Sequence, residues 1–196
     1  NQINKLLTSA GYKLSNTGTY NDKNNNPLTI TLTAVEQPEQ FRVADEIKQQ
    51  WVSAGLSVNI KTVSNFDLQR EIINPRHYQA LLASVVVGPD IDPYPLWHSS
   101  QATPPGLNLS MFQNNEVDKL LTEARATTDI NLRSQKYNRF QEIINNESPA
   151  IFLYSTAYNY LVSSKIQGVV AKAITKPSER LINLPQWYTK TKRTRQ

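Results

Sequence analysis

The chain has 196 residues, which suits one sizeable domain or one large lobe of a bigger protein. Hydrophobic residues make up 39% of it, the formal net charge is +5, and the absence of cysteine excludes disulfides and zinc–cysteine sites. No run approaches the ~20 apolar residues of a membrane span, and the start has neither a secretory h-region nor an initiator methionine, so we expect a segment of a longer protein.

The amino-terminal part predicts a helix, a turn-rich loop and a strand. Residues Ile3–Ala10 have the pattern of the end of a helix, and Gly11 is suited to the left-handed cap that stops it. Ser15–Pro27 carries five asparagines among other turn-forming residues, which is typical of an exposed loop. Leu28–Ala34 alternates apolar residues with threonines and therefore predicts a half-buried strand.

The next elements indicate an α/β fold. Apolar residues at helical spacing from Phe41 to Trp51 predict a helix, and the alternation in Leu56–Ile60 predicts a second strand. Phe66–Asn74 predicts another helix, and the continuous apolar run within Tyr78–Val87 predicts a strand covered on both faces. This order favours parallel pairing with right-handed crossovers, so we expect a mixed, mostly parallel sheet flanked by helices.

The carboxy-terminal part predicts two helices and then strands. Apolar stripes run through residues 117–124 and 137–144, the second on a helix that begins near Asp129, and Pro149 ends the pair. Residues Ile151–Tyr154 and Tyr158–Val162 have the composition of strands. After these strands the pattern weakens, and no internal repeat is present.

A long loop is the strongest candidate for a functional site. Residues 88–115 have no periodicity and contain five prolines, and loops of this length in compact domains are usually functional or disordered. The loop directly follows the predicted buried strand, and ligands of open α/β sheets bind beyond the carboxyl ends of strands. The candidate ligand-binding residues in this part of the loop are Asp90, Asp92, Tyr94, Trp97 and His98.

Two other functions compete with ligand binding. Asp90, Asp92 and His98 offer the groups of a metal-assisted hydrolase, although an aspartate before a proline also commonly starts a turn. The net charge admits a nucleic-acid-binding module, but the positive charges are scattered outside a short basic tail. Phosphate-binding glycine loops, a G-x-S-x-G elbow and an H-E-x-x-H motif are all absent from the sequence.

Several runs of residues occur in order along nearly the whole chain: Leu6-Leu7, Ala10-Gly11-Tyr12, Pro27–Ile30, Gly88–Gln101, Asn114–Arg125, Arg133 with Tyr137 and Phe140–Ile144, and Pro149–Tyr154. Together they resemble the family-5 extracellular solute-binding proteins, the receptors of peptide and related ABC importers. The resemblance implies two α/β lobes of the type II periplasmic-binding-protein kind that close over a solute, without catalytic activity or cofactor. It implies partnership with ABC permease subunits and an extracellular or periplasmic location, with any membrane anchor upstream of this segment.

The resemblance also implies a division of the chain. Residues 1–152 would form the second ligand-binding lobe. Residues 153–196 would return to the first lobe as a hinge strand and C-terminal segment, and the amino-terminal half of the full-length protein would precede this chain. Peptide-binding members often carry an aspartate for the peptide α-ammonium three positions before an acidic–proline pair. Here that position is Pro89, and Asp90 is the nearest acid. Tyr94, Trp97 and Asn108 would line the cleft, with Trp97 alternatively anchoring the loop by packing.

Overall fold

The computed structural model describes residues 2–86, 92–170 and 177–190. Its α-helices are α1 Gln2–Ser9, α2 Pro38–Ser53, α3 Asn65–Asp67, α4 Tyr94–Trp97, α5 Asn115–Ala126 and α6 Ile130–Glu147. Its strands are β1 Lys13–Leu14, β2 Tyr20–Asn21, β3 Thr29–Val35, β4 Ser57–Val63, β5 Ala80–Leu81, β6 Ile166–Gln167 and β7 Tyr188–Thr189. A π-helix spans Leu68–Ile73, and 3₁₀ turns span Ser99–Gln101, Pro177–Leu181 and Leu184–Gln186. None of the helices in the described ranges is both long enough and apolar enough to cross a membrane.

Three parallel strands form the central sheet, in the order β4-β3-β5. β3 and β4 pair along their whole length, from Thr29 opposite Ser57 to Val35 opposite Val63. Helix α2 connects these two strands, and Pro38 stands in its first turn, where a missing N–H costs no hydrogen bond. The predicted α/β fold with parallel strands and crossover helices is confirmed.

The core of the sheet is formed by the residues that alternate along β3 and by those that repeat at helical spacing along α2. Alternation places Leu32 and Ala34 of β3 on one face, where they meet Ala44 from the apolar stripe of α2. Val58 and Leu82 complete this buried cluster, and Ile47 and Trp51 pack against it. On the opposite face of β3, the central strand, Thr33 is also buried, at only 1% exposed.

The strand predicted over Tyr78–Val87 is wrong in its extent. Only Ala80 and Leu81 pair with β3, and the chain from Ala83 to Val86 is exposed, with Val86 at 77%. β5 lies at the edge of the sheet and pairs on one side only. The continuous apolar run therefore did not predict burial on both faces. Val87, the last residue of the run, lies outside the described residues.

The chain divides into two compact units. The first comprises residues 1–84 and 95–114, and the second comprises 85–94 and 115–196. The second unit contains the predicted helix pair, α5 and α6, which share a buried seam of Val117, Leu121, Ala124, Phe140, Ile143 and Ile144. Asp129 caps α6 by accepting hydrogen bonds from the backbone N–H groups of Asn131 and Leu132. Both predicted helices are confirmed.

The strands predicted at Ile151–Tyr154 and Tyr158–Val162 are wrong. Residues 151–161 have no regular secondary structure and every one of them is exposed. The short antiparallel pair of this unit instead joins β6 to β7, with Ile166 opposite Thr189. A strand needs a neighbour to complete its hydrogen bonds, and no strand pairs with residues 151–161 in the part of the chain that the structure describes.

The division of the chain into two compact units does not test the expected lobe boundary. The expected boundary between residues 1–152 and 153–196 concerns membership of two lobes, whereas the observed division is between two compact units. That boundary stays a prediction. Of the basic tail, Lys190 is described, whereas residues 191–196 lie outside the described residues.

Candidate functional site

A buried asparagine organises the part of the long loop that belongs to the first unit. Asn108 is 0% exposed, and its Nδ2 donates to the carbonyl oxygens of Trp97 at 3.4 Å, His98 at 3.2 Å and Phe112 at 2.8 Å. Its Oδ1 accepts from the Phe112 N–H and the Ser110 hydroxyl. The amide thus pins two distant parts of the loop together, and a direct contact between Asn108 and a ligand stays a prediction.

Trp97 and His98 lie side by side in this loop, at the end of α4. The Trp97 ring meets the Phe112 ring edge to face, with centroids 6.5 Å apart, so packing helps to orient the indole. The Nδ1 atom of His98 accepts a hydrogen bond from the Ser100 N–H at 3.1 Å. That bond assigns the proton of a neutral His98 ring to Nε2.

Two residues before β5 also hold this loop, and the sequence pattern predicted neither of them. Arg76 donates to the carbonyl oxygens of Ile73, Ala102 and Gly106, and the Tyr78 hydroxyl donates to the carbonyl oxygen of Leu109. Burial raises the pKa of Tyr78, and the nearby Arg76 charge opposes that rise. Neither residue lies in a recognisable motif, and only their position between Pro75 and a strand is visible in the sequence.

Asp92 and Tyr94 belong to the second unit, where they meet Arg125 of α5. Asp92 Oδ2 accepts from Arg125 Nε at 2.8 Å and lies 2.7 Å from Nη2. Asp92 Oδ1 accepts from the Tyr94 N–H at 3.1 Å, and the Arg125 guanidinium carbon lies 4.1 Å from the centroid of the Tyr94 ring. The carboxylate therefore forms a turn and an ion pair, as an aspartate before a proline favours.

The six predicted ligand residues thus divide into groups. Trp97, His98 and Asn108 come together in the first unit, and Asp92 and Tyr94 come together in the second. Asp90 lies outside the described residues. Within the described ranges, no three His, Asp or Glu side chains are grouped so that they could hold a metal ion.

Solved structures with the same fold are solute-binding proteins. The oligopeptide-binding protein AppA from Bacillus subtilis, in complex with a nonapeptide, matches with a TM-score of 0.72 and 24% identity over 96% of this chain and 37% of that chain. NikZ from Campylobacter jejuni, in complex with Ni(L-His), matches with a TM-score of 0.71 and 19% identity over 95% of this chain and 38% of that chain. A dipeptide-binding protein from Pseudoalteromonas sp. SM9913, in complex with Met-Leu, matches with a TM-score of 0.60 and 30% identity over 74% of this chain and 28% of that chain. The fold is therefore that of the periplasmic binding proteins.

A family match identifies the chain further. Residues 2–106 match the middle region of the bacterial extracellular solute-binding proteins of family 5, and the chain belongs to that family. AppA of Bacillus subtilis (strain 168) is also a curated relative, 25% identical over 94% of this chain and 33% of its own length. The chain thus spans about a third of the length of that relative. The family is one of solute-binding proteins and not of enzymes.

Proposed function

We propose that this chain is part of the substrate-binding component of an ABC importer, which captures oligopeptides or a related small solute and delivers them to a membrane permease. The family match over residues 2–106 carries the proposal. Peptides are the ligands in the matching AppA and Pseudoalteromonas structures, whereas a nickel–histidine complex is the ligand in NikZ. A peptide is therefore the first ligand to test, and a metal complex is the second.

Ligand capture would proceed by closure of two lobes. A solute that bridges both lobes favours the closed state by the contacts it makes only there. Trp97 and His98 are half-buried on a loop that Asn108 holds internally, so their contribution to closure requires little local ordering. Asp90 would bind the α-ammonium of a peptide through a charge-assisted hydrogen bond.

Residues 1–152 would belong to the second lobe, and residues 153–196 would cross back to the first. Large exposed apolar side chains at the start of the second segment support this proposal: Leu153 is 46% exposed, Tyr154 60% and Leu161 95%. A contiguous segment of this kind marks a surface that another part of the protein covers. The full-length protein would work outside the cytoplasmic membrane, held there by an anchor upstream of this chain.

The proposed function is tested on the full-length protein that contains this chain. A native mass spectrum of the protein as purified should show a series of bound masses spaced like amino-acid residues. Calorimetric titration with a dipeptide, a pentapeptide and a nonapeptide should then give saturable binding. Binding of a nickel–histidine complex alone would replace the peptide proposal, and no binding in either series would contradict a receptor function.

The lobe boundary has its own test in the same protein. We expect amide hydrogens of residues 151–161 to exchange slowly in the full-length protein, because the first lobe would pair with or cover this segment. The reference for fast exchange is a segment of the first unit with three exposed residues whose N–H groups donate to no acceptor among the described residues: Asn16, Thr17 and Lys23. Equally fast exchange in both segments would show that 151–161 does not dock on the first lobe.

A further inference from the structure

Arg76 has an unusual combination of features for an arginine at the surface of an α/β unit. It has a positive φ of 58°, in the left-handed region that non-glycine residues rarely adopt. Its guanidinium donates from Nη1 to the Ile73 carbonyl at 2.8 Å, from Nε to the Ala102 carbonyl at 3.1 Å and from Nη2 to the Gly106 carbonyl at 2.6 Å. No carboxylate of the described residues forms an ion pair with it.

The positions of these carbonyls explain why an arginine suits this place. Ile73 ends the π-helix, whereas Ala102 and Gly106 flank a tight turn in the long loop. That turn admits no side chain at Gly106, since an added Cβ would lie 2.2 Å from the Gln101 carbonyl oxygen. A planar guanidinium can satisfy three separated acceptors at once, which an ammonium at the same place cannot match in geometry.

The same turn is joined to the residues that present the ligand-facing side chains. The Asn108 N–H donates to the Gln101 carbonyl at 3.0 Å, and the Asn108 side chain binds the carbonyls of Trp97 and His98. Arg76 therefore holds the turn of residues 102–106 in place. Through its hydrogen bonds, Asn108 holds the backbone of Trp97 and His98 in a fixed position relative to that turn. The positive φ is tolerated because three hydrogen bonds compensate for the strain.

We propose that Arg76 is a positioning residue for solute binding: it holds the turn of residues 102–106 so that Trp97 and His98 are presented in a fixed arrangement before the solute arrives. This role rests on the proposed function, because a fixed arrangement of Trp97 and His98 favours solute binding if the protein is a solute receptor. It does not require Arg76 to touch the solute, since its hydrogen bonds go to backbone carbonyls of the same unit.

The test compares three variants of the full-length protein. Arg76→Gly removes the guanidinium while accepting the positive φ without strain, and Arg76→Lys keeps the charge without the planar fork. Arg70→Ala is the matched control, because Arg70 lies in the π-helix but its side chain is 60% exposed and pairs with the exposed Asp67 and Glu71. Each variant is measured for amide exchange over residues 98–112 in the absence of solute, and for affinity toward the dipeptide, the pentapeptide and the nonapeptide.

For Arg76→Gly we expect exchange over 98–112 to accelerate about tenfold and peptide affinity to fall about tenfold, with intermediate values for Arg76→Lys and wild-type values for Arg70→Ala. Accelerated exchange with unchanged affinity would overturn the positioning role, and so would a lysine variant that behaves as wild type. If the wild-type protein binds none of the peptides, the proposed function fails. The exchange rates then still decide whether Arg76 holds the loop.

Discussion

Arg125 directs two nitrogens at a single oxygen of Asp92, with Nε at 2.8 Å and Nη2 at 2.7 Å from Oδ2. The other carboxylate oxygen accepts from the Tyr94 N–H, and the guanidinium also lies over the Tyr94 ring. Residues 92–94 are thereby anchored to α5 within the second unit. The ion pair therefore gives Asp92, which precedes Pro93, a structural role that does not depend on any contact between Asp92 and a solute.

A double-mutant cycle measures the strength of this anchor. Arg125→Ala and Asp92→Asn should each lower the free energy of unfolding of the full-length protein, and the double variant should lose little more than either single variant. Because both side chains are partly exposed, at 48% and 32%, we expect a coupling energy of about 0.5–1 kcal/mol from chemical denaturation. Fully additive losses would show that the pair does not act as a unit.

Three regular elements were predictable from the sequence because their hydrophobic periods are clear and the structure buries the apolar face that each period defines. Leu28–Ala34 alternates, and residues 41–51 and 117–124 repeat at helical spacing, so β3, α2 and α5 follow from local pattern. The strands expected at 151–154 and 158–162 failed because a strand needs a neighbour to pair with, and none pairs with these residues in the part of the chain that the structure describes. Arg76 was missed for a related reason: two of its three acceptors lie 26 and 30 residues further along the chain, and no motif links them to it.

Asp90→Asn should weaken peptide binding without affecting folding. A charge-assisted hydrogen bond to an α-ammonium contributes about 1.5–3 kcal/mol, so its loss should raise the dissociation constant between about tenfold and a hundredfold. Calorimetric titration with the dipeptide measures this change, and an N-acetylated dipeptide should bind equally weakly to both proteins. Glu46→Gln, at an exposed position on α2, is the control for loss of an acidic charge. An unchanged dissociation constant would remove Asp90 from the site.

The α5–α6 pair should become less stable in acid. Hydrogen bonds from Lys136 and Arg139 lower the pKa of Glu123 and Glu116, respectively, below the usual value of 4.5. A carboxyl group whose pKa is lower in the folded state stabilises that state above the unfolded pKa. This contribution is lost as the pH falls through the folded pKa. Glu123→Gln should therefore be less stable than wild type at pH 7, and the difference should shrink as the pH falls below 4.5.

Thermal unfolding of the full-length protein between pH 7 and pH 3 measures that difference. Glu36→Gln is a suitable control, because Glu36 is exposed and has no ion pair among the described residues. Its unfolding temperature should stay parallel to that of the wild type across the range. A difference between Glu123→Gln and wild type that persists undiminished at the acid end would show that the ion pair with Lys136 is not its source.

Replacing Asn108 should be the most damaging single change in the long loop. Asn108→Ala leaves the carbonyls of Trp97, His98 and Phe112 without their shared donor in a fully buried position, which we expect to cost about 2–4 kcal/mol. Asn108→Asp should cost more, because it places a carboxylate oxygen opposite those three carbonyls, and its free energy of unfolding should fall as the pH rises.

Chemical denaturation of the full-length protein measures the losses of both Asn108 variants. Ser110→Ala removes only the hydroxyl that donates to Asn108 Oδ1 and serves as the control, with an expected loss of about 1 kcal/mol or less. If Asn108→Ala retained wild-type stability while losing peptide affinity, Asn108 would act on the solute directly instead of through the loop.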